Sequence, residues 1–242
     1  MKVAVLIYGE PRHIFIGHNF FVKFFKDIDV DYYFHLWGES NDQKLIEKLY
    51  SPKKIIVEKQ IINIGKFFKS DFDLSHTNKN LETTLSPLLS IYKVGRLLEE
   101  NNQEYDLVVL TRTDIAADGI PFTKLFKRSI NPNYAYVNYM PGEFWKLSRN
   151  QKKNINLKGI DLKFIASNQN SMLELTKIFQ NLEKLINEDL VYLCHHRLFY
   201  FVLSKSVKKF KFLKLHNKND SFGWHIIRGD SQNYYFEPER VN

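Results

Sequence analysis

The chain predicts an α/β fold, in which buried strands form a sheet, helices run between them, and polar residues gather where the strands end. Three segments carry that expectation: KVAVLIYGEPRH, VDYYFHLWGES and YDLVVLTRTDIAAD each begin as an apolar run and stop abruptly at turn-forming or charged residues. Short apolar runs of this kind, separated by stretches of helical periodicity, are the pattern of strands buried inside an open sheet. Open α/β sheets bind ligands in the crevice beyond the carboxyl ends of their strands, so those polar ends are where function is sought.

The elements follow in order. Strand one is Lys2 to Tyr8, running into a turn with Gly9, Pro11 and Arg12. His13 to Asp27 is a helix whose Phe15, Ile16, Phe20 and Phe24 are too aromatic to be exposed throughout, so it packs on the sheet. Strand two is Val30 to Trp37, and Ser40 or Asn41 then caps a helix over Asp42 to Leu49 by satisfying free backbone donors. Lys53 to Glu58 is a third strand. Ile61 to Glu82 has no clean period and reads as an insertion over the cleft. Thr83 or Ser86 opens a long helix over Pro87 to Asn101, with proline at the favoured first position and Leu88, Ile91, Tyr92, Gly95 and Leu98 on one face.

The fourth strand, from Leu107, delivers Arg112 and Asp114 to its carboxyl end. Beyond it, Pro121 to Phe126 reads as a helix, Tyr134 to Tyr139 and Leu162 to Ala166 as strands, and Ser171 to Leu185 as a helix with Leu173, Leu175, Ile178, Leu182 and Leu185 inward. Glu188 to Leu203 reads as a buried helix opened by its acidic pair, with Cys194 in the core and the adjacent His195 and His196 diverging into structural positions. Neither an internal repeat nor a linker stands out, so residues 1–242 form a single domain.

Composition narrows the classes. The chain has 242 residues, with 44% hydrophobic and 15% aromatic content, enough for a large core and a lined cleft. One cysteine precludes an internal disulfide, and no apolar run approaches the roughly 20 residues a membrane-spanning helix needs. The N-terminal segment reads as a strand rather than a signal peptide, and the expected location is cytoplasmic. The net charge of +8 favours anionic partners. Lysines concentrate in KSVKKFKFLKLHNK, residues 205–218, where alternation with Val, Phe and Leu suggests a strand with one solvated face; peripheral membrane docking and nucleic-acid contact are the functional alternatives. The chain lacks the phosphate-loop, dinucleotide and nucleophile-elbow motifs and zinc-spaced Cys and His, which removes support for kinase, dehydrogenase, hydrolase and zinc-site readings.

The Thr-Arg-Thr-Asp at the fourth strand's end has a plain reading, a surface arginine and a helix-capping aspartate. Its functional reading uses the chemistry of the same groups. Asp114 and Asp118 can face one hard cation across a turn, and Arg112 presents a planar fork of donors to phosphate oxygens.

Taken in order, Gly-x-Pro-Arg after strand one, Phe-His-x-Trp at the end of strand two, and Tyr-Asp with an apolar run and Arg-x-Asp after a long helix resemble a group of bacterial and viral glycosyltransferases. Their likeness is to enzymes with the nucleotide-sugar-binding fold called GT-A. The resemblance implies a single Rossmann-like domain with a mixed, mostly parallel sheet flanked by helices, residues 1–118 forming the nucleotide-binding half and 119–242 the acceptor-side half. It implies transfer of a hexose or related sugar from a nucleotide-sugar donor to a glycan or lipid-linked acceptor, with Gly9 and Arg12 shaping the nucleotide pocket. Tyr92, Lys93 and Arg96 on the preceding helix are implied nucleotide contacts, against the plain reading of solvated side chains. Many GT-A enzymes hold Mn or Mg with Asp-x-Asp, and here Arg112 stands at the first Asp position. Two arrangements follow: Arg112 neutralises the diphosphate directly, or Asp114 binds the ion with few protein ligands.

The same resemblance marks Glu188 or Asp189 as the carboxylate beside the acceptor hydroxyl, against the plain reading of acidic residues at a helix start. It also suggests a returning C-terminal segment, in which His225 completes a metal shell and Arg228 holds phosphate. The competing class is a non-catalytic basic α/β module that binds nucleic acid or another polyanion. The missing Asp and the charge favour it, and the clustering of aromatic strand ends rather than a continuous basic stripe disfavours it.

Overall fold

The structure, a computed structural model, describes residues 1–69, 81–116, 122, 130–138, 160, 163–189, 193–213 and 225–226. Four strands build one half of the sheet: β1 (Lys2–Gly9), β2 (Asp29–Trp37), β3 (Lys54–Glu58) and β4 (Leu107–Arg112). They are parallel neighbours in the order β3-β2-β1-β4. β7 (Phe164–Ser167) then runs antiparallel to β4, followed by β6 (Tyr134–Asn138) and, parallel to β6 at the edge, β8 (Lys209–Leu213). The sheet is therefore mixed and mostly parallel. A second ladder pairs β5 (Ile115–Ala116) with β9 (His225–Ile226), antiparallel, directly after the end of β4.

Alternation along β1 explains the two layers that cover the sheet, since successive strand side chains face opposite sides. Val3, Val5 and Ile7 join Phe34, Leu107 and Val109 beneath α1 (Ile14–Phe24) and α2 (Ser40–Tyr50). Ala4, Leu6 and Tyr8 join Tyr33, Val108 and Leu110 beneath α3 (Leu81–Glu99), together with α4 (Gln169–Thr176), α5 (Leu182–Asn187) and α6 (His195–Ser206). Strands buried on both sides are near-continuously apolar, which is why β1 and β4 stood out in the sequence. At the opposite edge of the sheet a polar network closes the strand starts: the Tyr105 hydroxyl lies 2.7 Å from both the Tyr33 hydroxyl and Asp31 Oδ2, and Asp106 accepts the Lys2 amide at 2.7 Å.

Several sequence-based boundaries shift. The cap of α2 is Glu39, not Ser40 or Asn41, and its amide donates to Asp42 Oδ2 at 2.8 Å. The long helix begins at Leu81, so Pro87 lies inside it rather than at its first position. Burial of Leu85, Leu88, Leu89 and Ile91 against the sheet holds the helix through a proline that withholds one backbone donor. The expected 171–185 helix is two helices, with Asn168 capping the first through a 2.9 Å bond from the Ser171 amide and a turn over 177–181. Glu188 caps the end of α5, so the acidic pair closes one helix instead of opening the next, which starts at His195. Cys194 is the half-buried residue before α6, not a core helical position. The basic stretch divides into the end of α6 and strand β8, while 214–218 lie outside the described residues, as does the 121–126 helix apart from Phe122.

Candidate functional site at the β1/β4 switch point

The strand order reverses direction between β1 and β4: the chain steps outward from β1 to β2 and β3, then returns to place β4 on the other side of β1. At such a switch point the loops leaving the two strands diverge, and open α/β sheets bind their ligands in the crevice beyond these carboxyl ends. Tyr8 pairs with Arg112, so the turn after β1 and the turn after β4 emerge side by side.

The β4 turn carries a tightly built pair. Arg112 Nε donates to Asp114 Oδ1 at 2.8 Å and Nη2 donates to Oδ2 at 2.6 Å. Asp114 is buried at 1% exposure, whereas the Arg112 side chain is 31% exposed. Burial works against the guanidinium's charge, but the bonds from Asp114 and the nearby Tyr8 and Glu10 more than offset it, and Arg112 holds its proton more firmly than an ordinary arginine. Two of the five arginine N–H groups are committed to Asp114, which leaves three with no partner among the described residues. The pair thus presents a fixed cation, braced from below, to the crevice.

Neighbouring bonds fix the turn. Thr113 donates its hydroxyl to the Glu10 carbonyl at 2.9 Å, tying the β4 turn to the β1 turn, and Thr111 donates to the Lys163 carbonyl at 2.9 Å. Gly17 of α1 lies beneath, where a Cβ would sit 2.0 Å from the Thr113 carbonyl oxygen, so only glycine permits this approach. In the β1 turn Gly9 has φ +102, a left-handed conformation that favours glycine, and Arg12 pairs with Glu10 at the exposed surface. The Gly9 amide donates to Ser90 Oγ of α3 at 2.9 Å.

Ser90 leads to a buried polar group that had no assigned role in the sequence. His35, fully buried on β2, lies 2.8 Å through Nδ1 from Ser90 Oγ and 3.2 Å through Nε2 from Glu58 Oε1, and Lys93 also bonds Glu58. Burial holds the His35 imidazole down at about 4, with the Lys93 charge adding to the fall and the Glu58 bond opposing it. Burial pushes Glu58 up, but the bonds from Lys93 and His35 more than offset it and its carboxyl titrates below its usual range. The ionised Glu58 carboxylate only accepts, which assigns the neutral ring's proton to Nε2; the single Ser90 hydroxyl hydrogen is then shared between His35 Nδ1 at 2.8 Å and the His35 carbonyl at 3.0 Å. Lys93 Nζ stands 5.2 Å from the Trp37 ring centroid, and Trp37 meets the His35 ring edge-on at 4.6 Å. His35, Trp37 and Glu58 are the carboxyl ends of β2 and β3, on the same edge as Arg112. The Phe-His-x-Trp motif pointed to this place, but the partners of His35 lie 23 and 55 residues away in the chain.

The structure therefore brings Gly9, Arg12, Lys93, Arg112 and Asp114 to one edge. Tyr92, half-buried, stacks instead against Phe179 at 6.4 Å. Asp189 accepts from Lys205 at 3.2 Å, near the end of α6 that adjoins Ser171 and the start of β8, and it is not gathered with Asp114; Glu188 is exposed beside it. His195 contacts the Thr84 carbonyl and His196 the Ile160 carbonyl at 2.7 Å, diverging as adjacent helical residues do. The β5–β9 ladder places the backbone of His225 opposite Ala116, two positions after Asp114, so a C-terminal segment does return to the β4 turn. Asp118 and Arg228 lie outside the described residues. Both Asp114 oxygens accept from Arg112, and among the described residues no group of three His, Cys, Asp or Glu side chains converges on a cation position.

No protein-family model and no curated protein sequence matches the chain. Among solved structures it is similar to mouse xyloside xylosyltransferase 1 in its apo form, at 8% identity and TM-score 0.49 over 88% of this chain and 85% of that one. It is also similar to the galactosyltransferase LgtC in complex with donor and acceptor sugar analogues, at 12% identity and TM-score 0.51 over 86% of this chain and 73% of that one. The chain has a GT-A fold. Within it, β1 to β4 form the parallel run of the sheet, and β7 is the strand that runs antiparallel to β4.

Proposed function

We propose that the protein is a nucleotide-sugar-dependent glycosyltransferase that moves a sugar to a glycan or lipid-linked acceptor. The observation that carries this reading is the braced Arg112 at the β1/β4 switch point, three of whose N–H donors have no partner among the described residues. An anionic diphosphate suits such a group, because a guanidinium forks onto two oxygens at once and stays charged at any relevant pH. As the sugar–phosphate bond breaks, negative charge builds on the diphosphate, and a preorganised cation stabilises that charge without having to reorient. Asp114 positions Arg112, and Gly9 lets the backbone approach the nucleotide closely. Arg12 and Lys93, each paired with a carboxylate, Glu10 and Glu58, offer further cationic donors on the same edge.

Thermal unfolding in the presence of UDP, GDP and CMP sugars, with and without Mn or Mg, tests the reading. Ligand at about 100 times its dissociation constant stabilises a protein by roughly 2.7 kcal/mol. The expected result is a shift with one nucleotide sugar that persists in chelator. A shift that needs the metal would transfer the diphosphate contact to an ion held by Asp114, Asp118 or His225. Silence across the panel with a shift on adding oligonucleotide would replace the transferase by the polyanion-binding module.

A further inference from the structure

The segment after β3 has surface chemistry that the cleft does not use. Residues 59–69 leave the carboxyl end of β3, which lies on the same sheet edge as Gly9 and Arg112 because β3, β2, β1 and β4 are parallel. Ile64 anchors the segment: it is fully buried, and its amide donates to Glu82 Oε2 at 3.2 Å at the start of α3. Phe68 packs its ring 5.0 Å from Phe179, and the Lys69 amide donates to Glu183 Oε1 at 2.6 Å. From this fixed base Ile62 and Phe67 project into solvent at 76% and 54% exposure. Lys59, Lys66 and Lys69 are exposed along the same segment, with Lys66 Nζ 5.9 Å from the Phe67 ring centroid; residues 59–69 contain no acidic residue, and the carboxylates that touch them, Glu82 and Glu183, accept from the Ile64 and Lys69 amides.

We propose that residues 59–69 dock on an anionic lipid surface, turning the β1/β4 cleft toward the bilayer so that the acceptor is lipid-linked. The proposal rests on the transferase reading. Exposed large apolar side chains on a segment that carries three exposed lysines fit the boundary of an anionic leaflet, where the apolar groups enter the acyl margin and the lysines meet headgroup phosphates. This segment, and not the lysines of β8, is assigned the role: Lys209 and Lys211 lie on an edge strand, where exposed lysines discourage strand pairing, and Lys211 already stands over the Tyr136 ring.

Cosedimentation with vesicles tests this, using phosphatidylcholine alone and phosphatidylcholine with about 30 mol% phosphatidylglycerol. The wild type is expected to bind only the anionic vesicles, and less as salt rises. Ile62→Ser with Phe67→Ser should lower partitioning at least tenfold, with the fold intact because Ile62 is solvated and Phe67 gives up only its edge-on contact with Phe179 at 6.4 Å. Lys59→Gln, Lys66→Gln and Lys69→Gln together should also lower it at least tenfold, since each lysine near an anionic leaflet contributes roughly a factor of five. Lys209→Gln with Lys211→Gln should leave partitioning unchanged. Wild type that ignores anionic vesicles, or an Ile62→Ser/Phe67→Ser variant that binds them like wild type, overturns the docking. Nucleotide-sugar binding measured without vesicles reports separately on the transferase reading.

Discussion

Arg112 and Asp114 are each half of one device, and their substitutions are coupled. Removing Arg112 strands a carboxylate that is 1% exposed, and an uncompensated buried charge costs about 3–5 kcal/mol in fully buried pairs. Arg112 reaches solvent, so the expected loss for Arg112→Ala is smaller, about 2 kcal/mol by urea unfolding. Asp114→Ala removes the brace and should cost a similar amount. The double variant should lose less than the sum by about 1–3 kcal/mol, because the second substitution removes the group left unpaired by the first. Additive losses would mean that the pair is not formed in solution. Arg112 and Asp114 were legible in the sequence because an apolar run ended on them. His35 was legible only as part of a motif, because what makes it distinctive is burial against Ser90 and Glu58 from other elements, and no local pattern encodes that.

Among the elements, α1 sets the height of the site. Its Gly17 touches the carbonyl of Thr113, the residue between Arg112 and Asp114. Gly17→Ala gains about 1 kcal/mol of helix propensity but forces a Cβ into a backbone oxygen that is held from the other side by the Thr113 bond to Glu10. The expected net loss is about 2 kcal/mol, accompanied by weakened nucleotide-sugar binding although residue 17 touches no ligand. A neutral or stabilising outcome with binding unchanged would show that α1 does not brace the turn. Strand positions survived the passage from sequence to structure better than helix ends. Burial on both faces makes β1, β2 and β4 apolar throughout, so their limits are abrupt. Helix ends are set by tertiary packing: Pro87 resembles an N-terminal signal and Glu188 with Asp189 a helix start, yet Leu81 to Ser86 continue α3 beneath the sheet and the acidic pair closes α5.

For the whole molecule, the buried His35 links stability to pH. Its folded-state value of about 4 lies below the ordinary 6.5, so between those limits the unfolded chain binds more protons and stability rises with pH. The contribution is complete above about pH 6.5 and is lost as pH falls toward 4, and the lowered Glu58 acts in the same direction at still lower pH. Urea unfolding at about pH 7 and pH 5 should differ by roughly 2 kcal/mol in wild type and by much less in His35→Gln. Equal slopes in the two proteins would place His35 in solvent. The α/β class and the site's edge could be read from the chain because strand ends carry both. The reversed strand β7, and the return of residues 225–226 to the β4 turn, depend on pairings across more than fifty residues that no local pattern encodes.

Arg112 is expected to hold the diphosphate of a nucleotide at the β1/β4 switch point. Calorimetric titration of the nucleoside diphosphate that wins the thermal panel, into wild type and into the Arg112→Ala/Asp114→Ala variant, tests it directly at a temperature where both are folded. Charge-assisted hydrogen bonds are worth about 1.5–3 kcal/mol, so the variant is expected to bind roughly 10- to 150-fold more weakly, with the free nucleoside affected little. Equal dissociation constants for the diphosphate in the two proteins would contradict the account and move the anion site away from Arg112.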